Sequence, residues 1–191
     1  MLELAMHVLD IVQNSLRAGA TRVEIQVRED LAKDLWVLEI KDNGRGISKE
    51  MLSRVGDPFV TSRLDSGGGL GIPLLKQAAE SCGGGFEIQS QEGQGTKVAA
   101  YFQLNHLDRP PLGDMGETMG VLIGGNPTTE FFYEHKVNGK NYFLDTVTMK
   151  KILGVVSIDG PAVVAFIKKD MEKGLKEIGA DRFAKIRKVL E

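Results

Sequence analysis

The most glycine-rich run of this chain has the residue types of an anion-binding loop. Glycines stand at positions 67–69, and Leu70 and Gly71 follow them at the start of an apolar segment with helical spacing. Bare glycine lets peptide N–H groups approach a ligand closely, and the first turn of a helix favours negative charge. The run therefore predicts a phosphate site, although a flexible linker explains the same composition about equally well.

A second run, at residues 42–47, combines a carboxylate with two glycines at the end of a strand-like segment. Asn-Gly followed by another glycine predicts a tight turn there. The Asp42 carboxylate can accept a hydrogen bond from an exocyclic amine, while Gly44 and Gly46 leave room for a flat ring. Taken alone, the run is equally well interpreted as a plain turn.

A third set of polar residues lies on one face of the first predicted helix, residues 3–18. Its members recur at steps of three and four residues: His7, Asp10, Asn14 and Arg17. Residues at those steps are neighbours on a helix surface. Because polar helix faces usually meet water, this stripe alone favours a solvated surface.

Periodicity predicts the elements that position these three sets. Alternating apolar residues predict strands over residues 22–28, 35–41, 86–90 and 96–104, and helical spacing predicts helices over 3–18 and 71–82. The polar residues 57–68 predict a mobile lid. The order of helix, two strands, lid, helix and two strands predicts an α+β fold, a two-layer sandwich with helices on one face of a sheet.

The last third of the chain predicts a smaller α+β region. Its predicted elements are a strand over residues 119–123, strands over 130–137 and 140–144 joined by an Asn-Gly turn, and helices over 145–153, from 161 onwards and over 181–190. Residues 105–117 indicate a linker or a crossing loop. We therefore expect two domains, 1–106 and 107–191. The aromatic residues of the hairpin either pack in a core or dock on a protein partner.

Composition and charge narrow the classes of function. The chain has 191 residues, of which 42% are hydrophobic and 26% charged, as in ordinary globular proteins. A net charge of -2 gives no basic surface for nucleic acid, and no apolar run has the length of a membrane span. The N-terminus lacks signal-peptide features, and the single cysteine suits a reducing compartment. We expect a cytoplasmic protein that binds neither nucleic acid nor membrane. The sequence is compatible with a homodimer.

Together these runs resemble the ATPase fold shared by gyrase, the large heat-shock chaperones, sensor histidine kinases and MutL, the GHKL superfamily. Five motifs in the family's order carry the resemblance: residues 10–20 (the N box, nearest the MutL form), 42–47 (G1), 57–63 (the F box of histidine kinases), 67–72 followed by Lys76 (G2), and Gly95-Thr96. The resemblance covers residues 1 to about 104. It implies a Bergerat-type ATP-binding fold, closest to the histidine-kinase-like domain.

The resemblance also implies a role for each matching position. Asn14 would hold the Mg²⁺ that bridges the phosphates of ATP, and Arg17 would reach a phosphate or the lid. Asp42 would accept a hydrogen bond from the adenine amino group, so we expect GTP to be rejected. The other implied ATP contacts are Gly44, Gly46, Ile47, Thr61, Gly67, Gly69, Leu70, Gly71 and Thr96.

Asp10 stands where gyrase and MutL carry the glutamate that activates the attacking water. Aspartate is one methylene shorter, which sets its carboxylate back by roughly 1.5 Å, one carbon–carbon bond. A misplacement of about 1 Å can cost around a hundredfold in rate. Asp10 is therefore a candidate general base, and holding a Mg-bound water or His7 is the alternative.

Three functions follow from these features. The first is a Mg-ATP-binding regulatory or signalling module, in which nucleotide closes the lid and changes how the C-terminal region meets a protein partner. The second is a protein kinase that acts on a separate partner, because the N box begins within ten residues of Met1 and His7 lies on its helix. The third is an interaction module that has kept the fold without its nucleotide.

Overall fold

The computed structural model describes residues 3–52 and 71–181, and a six-stranded sheet runs through both parts. Its elements, in chain order, are α1 (Leu4–Arg17), β1 (Arg22–Asp30), β2 (Leu35–Asp42), α2 (Lys49–Leu52), α3 (Gly71–Ser81), β3 (Gly85–Gln91), β4 (Gly95–Gln103), α4 (Met115–Gly125), β5 (Glu130–Val137), β6 (Lys140–Asp145), α5 (Thr146–Leu153) and α6 (Pro161–Ile178). The predicted lid, the site residues Thr61, Gly67, Gly69 and Leu70, and the final helix predicted after Asp181 lie outside the described residues.

The strands are ordered β3-β4-β2-β1-β5-β6, with β1 and β5 parallel and the other neighbouring pairs antiparallel. The register aligns one apolar row across all of them: Ile88, Val98, Ile40, Ile25, Tyr133 and Leu144. These side chains belong to the core, together with apolar residues of α1, α3, α4 and α6. The predicted α+β arrangement of a sheet covered by helices is therefore confirmed.

Helix α1 is held to the sheet by a buried apolar stripe. Leu4, Val8, Ile11 and Val12 recur at helical spacing and are at most 3% exposed. Burying each such side chain stabilises the fold by about 1.5–3 kcal/mol. These apolar residues fix the rotation of α1 about its axis. The polar stripe of the helix therefore lies at a defined position at the edge of the core.

The strand predicted over residues 119–123 is wrong, because those residues lie in helix α4. Asp114 caps this helix by accepting a hydrogen bond from the Glu117 N–H at 2.7 Å. Glycines at positions 116, 120 and 124 let α6 pack closely, since a Cβ at Gly116 would lie 2.9 Å from the Lys168 carbonyl oxygen. A short apolar run does not distinguish a buried strand from a buried helix.

The predicted hairpin and the helices predicted from residues 145 and 161 are present. Asn138 and Gly139 have φ values of 45° and 85°, as the two-residue hairpin turn requires. Asp145 caps α5 by accepting from the Val147 N–H at 2.8 Å. Strands β5 and β6 extend the sheet beyond β1, so the predicted boundary near residue 106 falls between strands of one sheet and one core.

Candidate nucleotide-binding site

Asp42 is a buried carboxylate at the end of β2 whose partners come from three elements. Its side chain lies on the helix-covered face, two residues beyond Ile40, and the residue is 8% exposed. Oδ1 accepts from the Gly44 N–H at 2.8 Å and from the Thr96 N–H at 3.3 Å. Oδ2 accepts from the Ser15 hydroxyl of α1 at 2.6 Å. Such charge-assisted bonds hold the carboxylate in one orientation.

The turn after β2 has no room for side chains at its glycines. Gly46 has a φ of +70°, and a Cβ there would collide with the Gln91 carbonyl oxygen. A Cβ on Gly44 would lie 3.1 Å from both the Ala18 Cβ and the Asp42 Oδ1. The sequence therefore places glycine where the backbone of the turn comes closest to its neighbours.

Two polar side chains fix the turn from either side. Asn43 Oδ1 accepts from the N–H groups of Thr21 and Arg22, both at 2.9 Å, which joins the start of β1 to the end of β2. The Ser90 hydroxyl accepts from the Ile47 N–H at 2.8 Å and lies 2.9 Å from the Thr96 hydroxyl. Ile47 and Thr96 are thus linked through a serine of β3.

The other part of the candidate site is the polar stripe of α1 and the start of α3. The half-buried Asn14 accepts through Oδ1 from an Arg17 N–H at 3.0 Å. Asp10 is exposed one turn earlier, and Gly71 approaches it so closely that a Cβ on Gly71 would lie 2.8 Å from the Asp10 Cβ. The first described residue of α3 therefore packs directly against the side chain proposed as a base.

His7 lies on the same stripe but belongs to the interior. It is 3% exposed. Burial lowers the pKa of His7 from its ordinary value, and the nearby Asp10 carboxylate partly opposes that shift. The neutral imidazole is therefore the form that the fold favours at neutral pH.

The described site residues fall into two groups that Ser15 connects. The first group surrounds the carboxylate: Asp42, Gly44, Gly46, Ile47 and Thr96. The second lies along α1 and the start of α3: Asp10, Asn14, Arg17 and Gly71. Ser15 joins them because it follows Asn14 on α1 and donates to Asp42.

Sequence reasoning missed Ser15, Asn43 and Ser90. Ser15 had a signal, since it is a polar residue four positions after Ile11 on the apolar face of α1. A hydroxyl at a core position needs a partner, and burial without one is costly. Asn43 gave no signal beyond the Asn-Gly turn, because Thr21 and Arg22 precede it by 22 and 21 positions. Ser90 lies in a predicted strand, and its bond to the Ile47 N–H joins residues 43 positions apart.

A protein-family model described as histidine kinase-, DNA gyrase B-, and HSP90-like ATPase matches residues 2–106, more than half of the chain. The chain belongs to this ATPase family. The match spans every described residue of both groups, from Asp10 on α1 to Thr96 on β4. The family assignment confirms the predicted GHKL resemblance.

Curated relatives match about half of the chain. The non-motile and phage-resistance protein of Caulobacter vibrioides is 34% identical over 110 residues, which cover 53% of this chain and 13% of that protein. Sporulation kinase D of Bacillus subtilis is 32% identical over 91 residues, 48% of this chain and 18% of that protein. The chain thus spans less than a fifth of the length of these ATPase-family relatives.

Among solved structures, the N-terminal domain of a DNA repair protein superposes with a TM-score of 0.53 at 16% identity, covering 82% of this chain and 57% of that one. At this identity the superposition shows the shared fold alone. Within residues 3–52 and 71–181, no helix is both long and apolar enough to cross a membrane.

Proposed function

We propose that this member of the ATPase family binds Mg-ATP between α1, the turn after β2 and the start of α3, and acts as a nucleotide-dependent regulatory or signalling module. The observation that carries the proposal is the buried Asp42 carboxylate, oriented by three protein donors beside a turn built of glycine. A buried carboxylate held this firmly is suited to recognising a single donor on a ligand.

The hydrogen bonds of Asp42 support adenine as the base. A carboxylate offers about four acceptor positions. Oδ1 uses two, for Gly44 and Thr96, and Oδ2 uses one, for Ser15. No donor from residues 3–52 or 71–181 takes the fourth position, on Oδ2, which can accept from an external donor such as the 6-amino group of adenine. Guanine carries a carbonyl oxygen at that place, which would face the carboxylate as a second acceptor.

The stripe on α1 supports the phosphate end of the proposal. Asn14 offers a neutral amide oxygen, and hard cations such as Mg²⁺ prefer oxygen ligands and keep several waters. One side-chain oxygen together with phosphate oxygens and water is therefore an adequate set for the ion. Bound Mg²⁺ would neutralise charge on the phosphates. Arg17 lies beside Asn14 and adds positive charge, and the N-terminus of α3 favours an anion.

A series of purine nucleotides tests the proposal on the unmodified protein. Calorimetric titration with ATP, GTP and ITP in the presence of Mg²⁺ varies only the groups on the base. ATP is expected to bind, while GTP and ITP, which carry a carbonyl at position 6, are expected to give no heat. Equal binding of all three would refute the assigned role of Asp42. The absence of heat on titration with ATP would refute nucleotide binding.

Phosphoryl transfer to another protein is the second candidate, favoured by the similarity to sporulation kinase D. Asp10 is the residue proposed to serve as a base in any turnover, since it borders the start of α3. Incubation with ATP labelled at the γ-phosphate separates the outcomes, because hydrolysis releases labelled phosphate and a kinase labels a protein. Asp10→Asn should then lose turnover at least tenfold while it keeps ATP affinity.

A further inference from the structure

The first turn of α1 is held by the backbone of a distant segment. Glu3 makes no side-chain cap. The N–H groups of Leu4 and Ala5 donate instead to the carbonyl oxygens of Pro111 and Leu112, both at 2.9 Å. We call residues 109–112 the strap. Because unpaired N–H groups at a helix start need partners, the strap determines where α1 begins.

A buried ion pair fixes the strap to the end of α6. The Arg109 side chain is fully buried, and it donates to Asp181 Oδ1 at 2.8 Å. Asp181 Oδ2 accepts from the Leu112 N–H, also at 2.8 Å. One carboxylate thus holds both ends of the strap. Removing either charge would leave the other buried without its partner.

The same aspartate is joined to the middle of the sheet. The Asp181 N–H donates to Glu29 Oε1 of β1 at 2.9 Å. The same oxygen lies 2.8 Å from His135 Nε2 of β5. Since Asp181 follows the C-terminal cap of α6, the position of that helix end is set against the sheet and the strap at once.

We propose that the strap couples the end of α6 to the nucleotide site by setting the position of α1. This inference deepens, and rests on, the proposed nucleotide binding. Helix α1 runs without interruption from Leu4 to Arg17. At 1.5 Å per residue, about 15 Å separate Leu4 from Asn14. A shift of the first turn is therefore carried along a short rigid helix to Asn14 and to the bond between Ser15 and Asp42.

The coupling gives the C-terminal region a way to act on the site without touching it. A partner or modification that loosens the end of α6 would release the strap, displace α1 and lower nucleotide affinity. By linkage, bound nucleotide would tighten the strap to the same extent. In the protein with ATP, the amides of Leu4, Ala5 and Leu112 should therefore exchange with solvent more slowly than without it.

Asp181→Asn is the test variant, because it removes the charge yet keeps the shape, and Asn tolerates the positive φ of 51° found there. The matched control is Tyr142→Phe, which removes a different tie of α6, the 2.7 Å hydrogen bond to Asp170 Oδ2. If Asp181→Asn does not fold, Arg109→Met combined with Asp181→Asn removes both buried charges together.

Two readouts are measured on each variant: amide hydrogen exchange without nucleotide, and Mg-ATP affinity by calorimetry. We expect Asp181→Asn to speed exchange at Leu4 and Ala5 and to weaken ATP binding at least about fivefold, the lower end of ordinary coupling between sites. Tyr142→Phe should change neither.

Faster exchange in Asp181→Asn with unchanged ATP affinity would overturn the coupling and leave the proposed function standing. An equal loss of affinity in Tyr142→Phe would also overturn it, since any loosening of α6 would then suffice. If the unmodified protein does not bind ATP, the proposed function fails first and the coupling fails with it.

Discussion

Asp42 accepts hydrogen bonds from two backbone N–H groups, those of Gly44 and Thr96, and from one side chain, the Ser15 hydroxyl on α1. The Ser15 hydroxyl is the one partner that a conservative substitution can remove. A hydrogen bond to a charged group contributes about 1.5–3 kcal/mol. Both residues are buried, so solvent cannot replace the bond.

Ser15→Ala is therefore expected to lower the free energy of unfolding by about 1.5–3 kcal/mol and to weaken Mg-ATP binding. Urea unfolding and calorimetry measure the two effects. Ser15→Thr is the control, because it keeps the hydroxyl and should retain most of both quantities. A Ser15→Ala protein that matches the unmodified one in stability and affinity would show that the bond does not orient Asp42.

His7 makes a prediction about pH. Because burial lowers the pKa of His7 in the folded protein, the unfolded chain binds more protons below the ordinary value of 6.5. The contribution to stability is fully present above pH 6.5 and decreases as the pH falls below it. His7→Gln should therefore lose less stability than the unmodified protein when the pH falls from 7.5 to 5.5. The urea midpoint of each protein is measured at pH 7.5 and at pH 5.5. An equal change of the midpoint in the two proteins would contradict this prediction.

The packing of α3 on α1 requires a residue without a side chain at position 71, which is Gly71. Gly71→Ala would place a Cβ 2.8 Å from the Asp10 Cβ, so the helices must move apart. Overpacking of this kind costs typically about 1–3 kcal/mol. We expect Gly71→Ala to lower both the melting temperature and ATP affinity.

Gly125→Ala, at the end of α4, is the control for that prediction, since a Cβ there meets no atom within 4 Å. It should leave ATP affinity unchanged and keep or raise stability, because alanine is the better helix former. Equal behaviour of the two variants would mean that the approach of α3 to Asp10 has no bearing on the site.

Most described elements were predictable because local periodicity determines them. The alternation around Ile25 and the spacing of Leu4 and Val8 point to one structure each, and Asn138-Gly139 specifies its turn. Helix α4 was not predictable from its own sequence, because its glycines disfavour a helix and their role is seen only in the packing of α6 against them. Asp42, Asn14 and Gly71 could be predicted as site residues from motifs, whereas Ser15 and the strap depend on contacts between segments far apart in the chain.

At the scale of the whole molecule, the C-terminal region completes the sheet on which the site is built. Strand β5 pairs with β1 along residues 22–29, and the strap holds α1. A chain ending at residue 106 would expose the edge of β1 and leave the N–H groups of Leu4 and Ala5 without their partners. Exposed strand edges favour association between chains.

We therefore expect the chain cut at residue 106 to melt at a lower temperature than the full chain, or to aggregate. Circular dichroism and size-exclusion chromatography measure these outcomes. A cut chain that unfolds cooperatively at the same temperature and binds Mg-ATP equally well would instead establish residues 1–106 as an independent domain.

The central claim is that Asp42 recognises the base of ATP, and Mg-ATP titration of Asp42→Asn tests it most directly. The control is Glu39→Gln, on the opposite face of the same strand, where Glu39 pairs with Lys97 at 2.8 Å. Loss of one hydrogen bond to a charged group predicts roughly 10- to 150-fold weaker binding by Asp42→Asn. Glu39→Gln should bind as the unmodified protein does. Equal ATP affinity in Asp42→Asn, with the fold intact, would contradict the account.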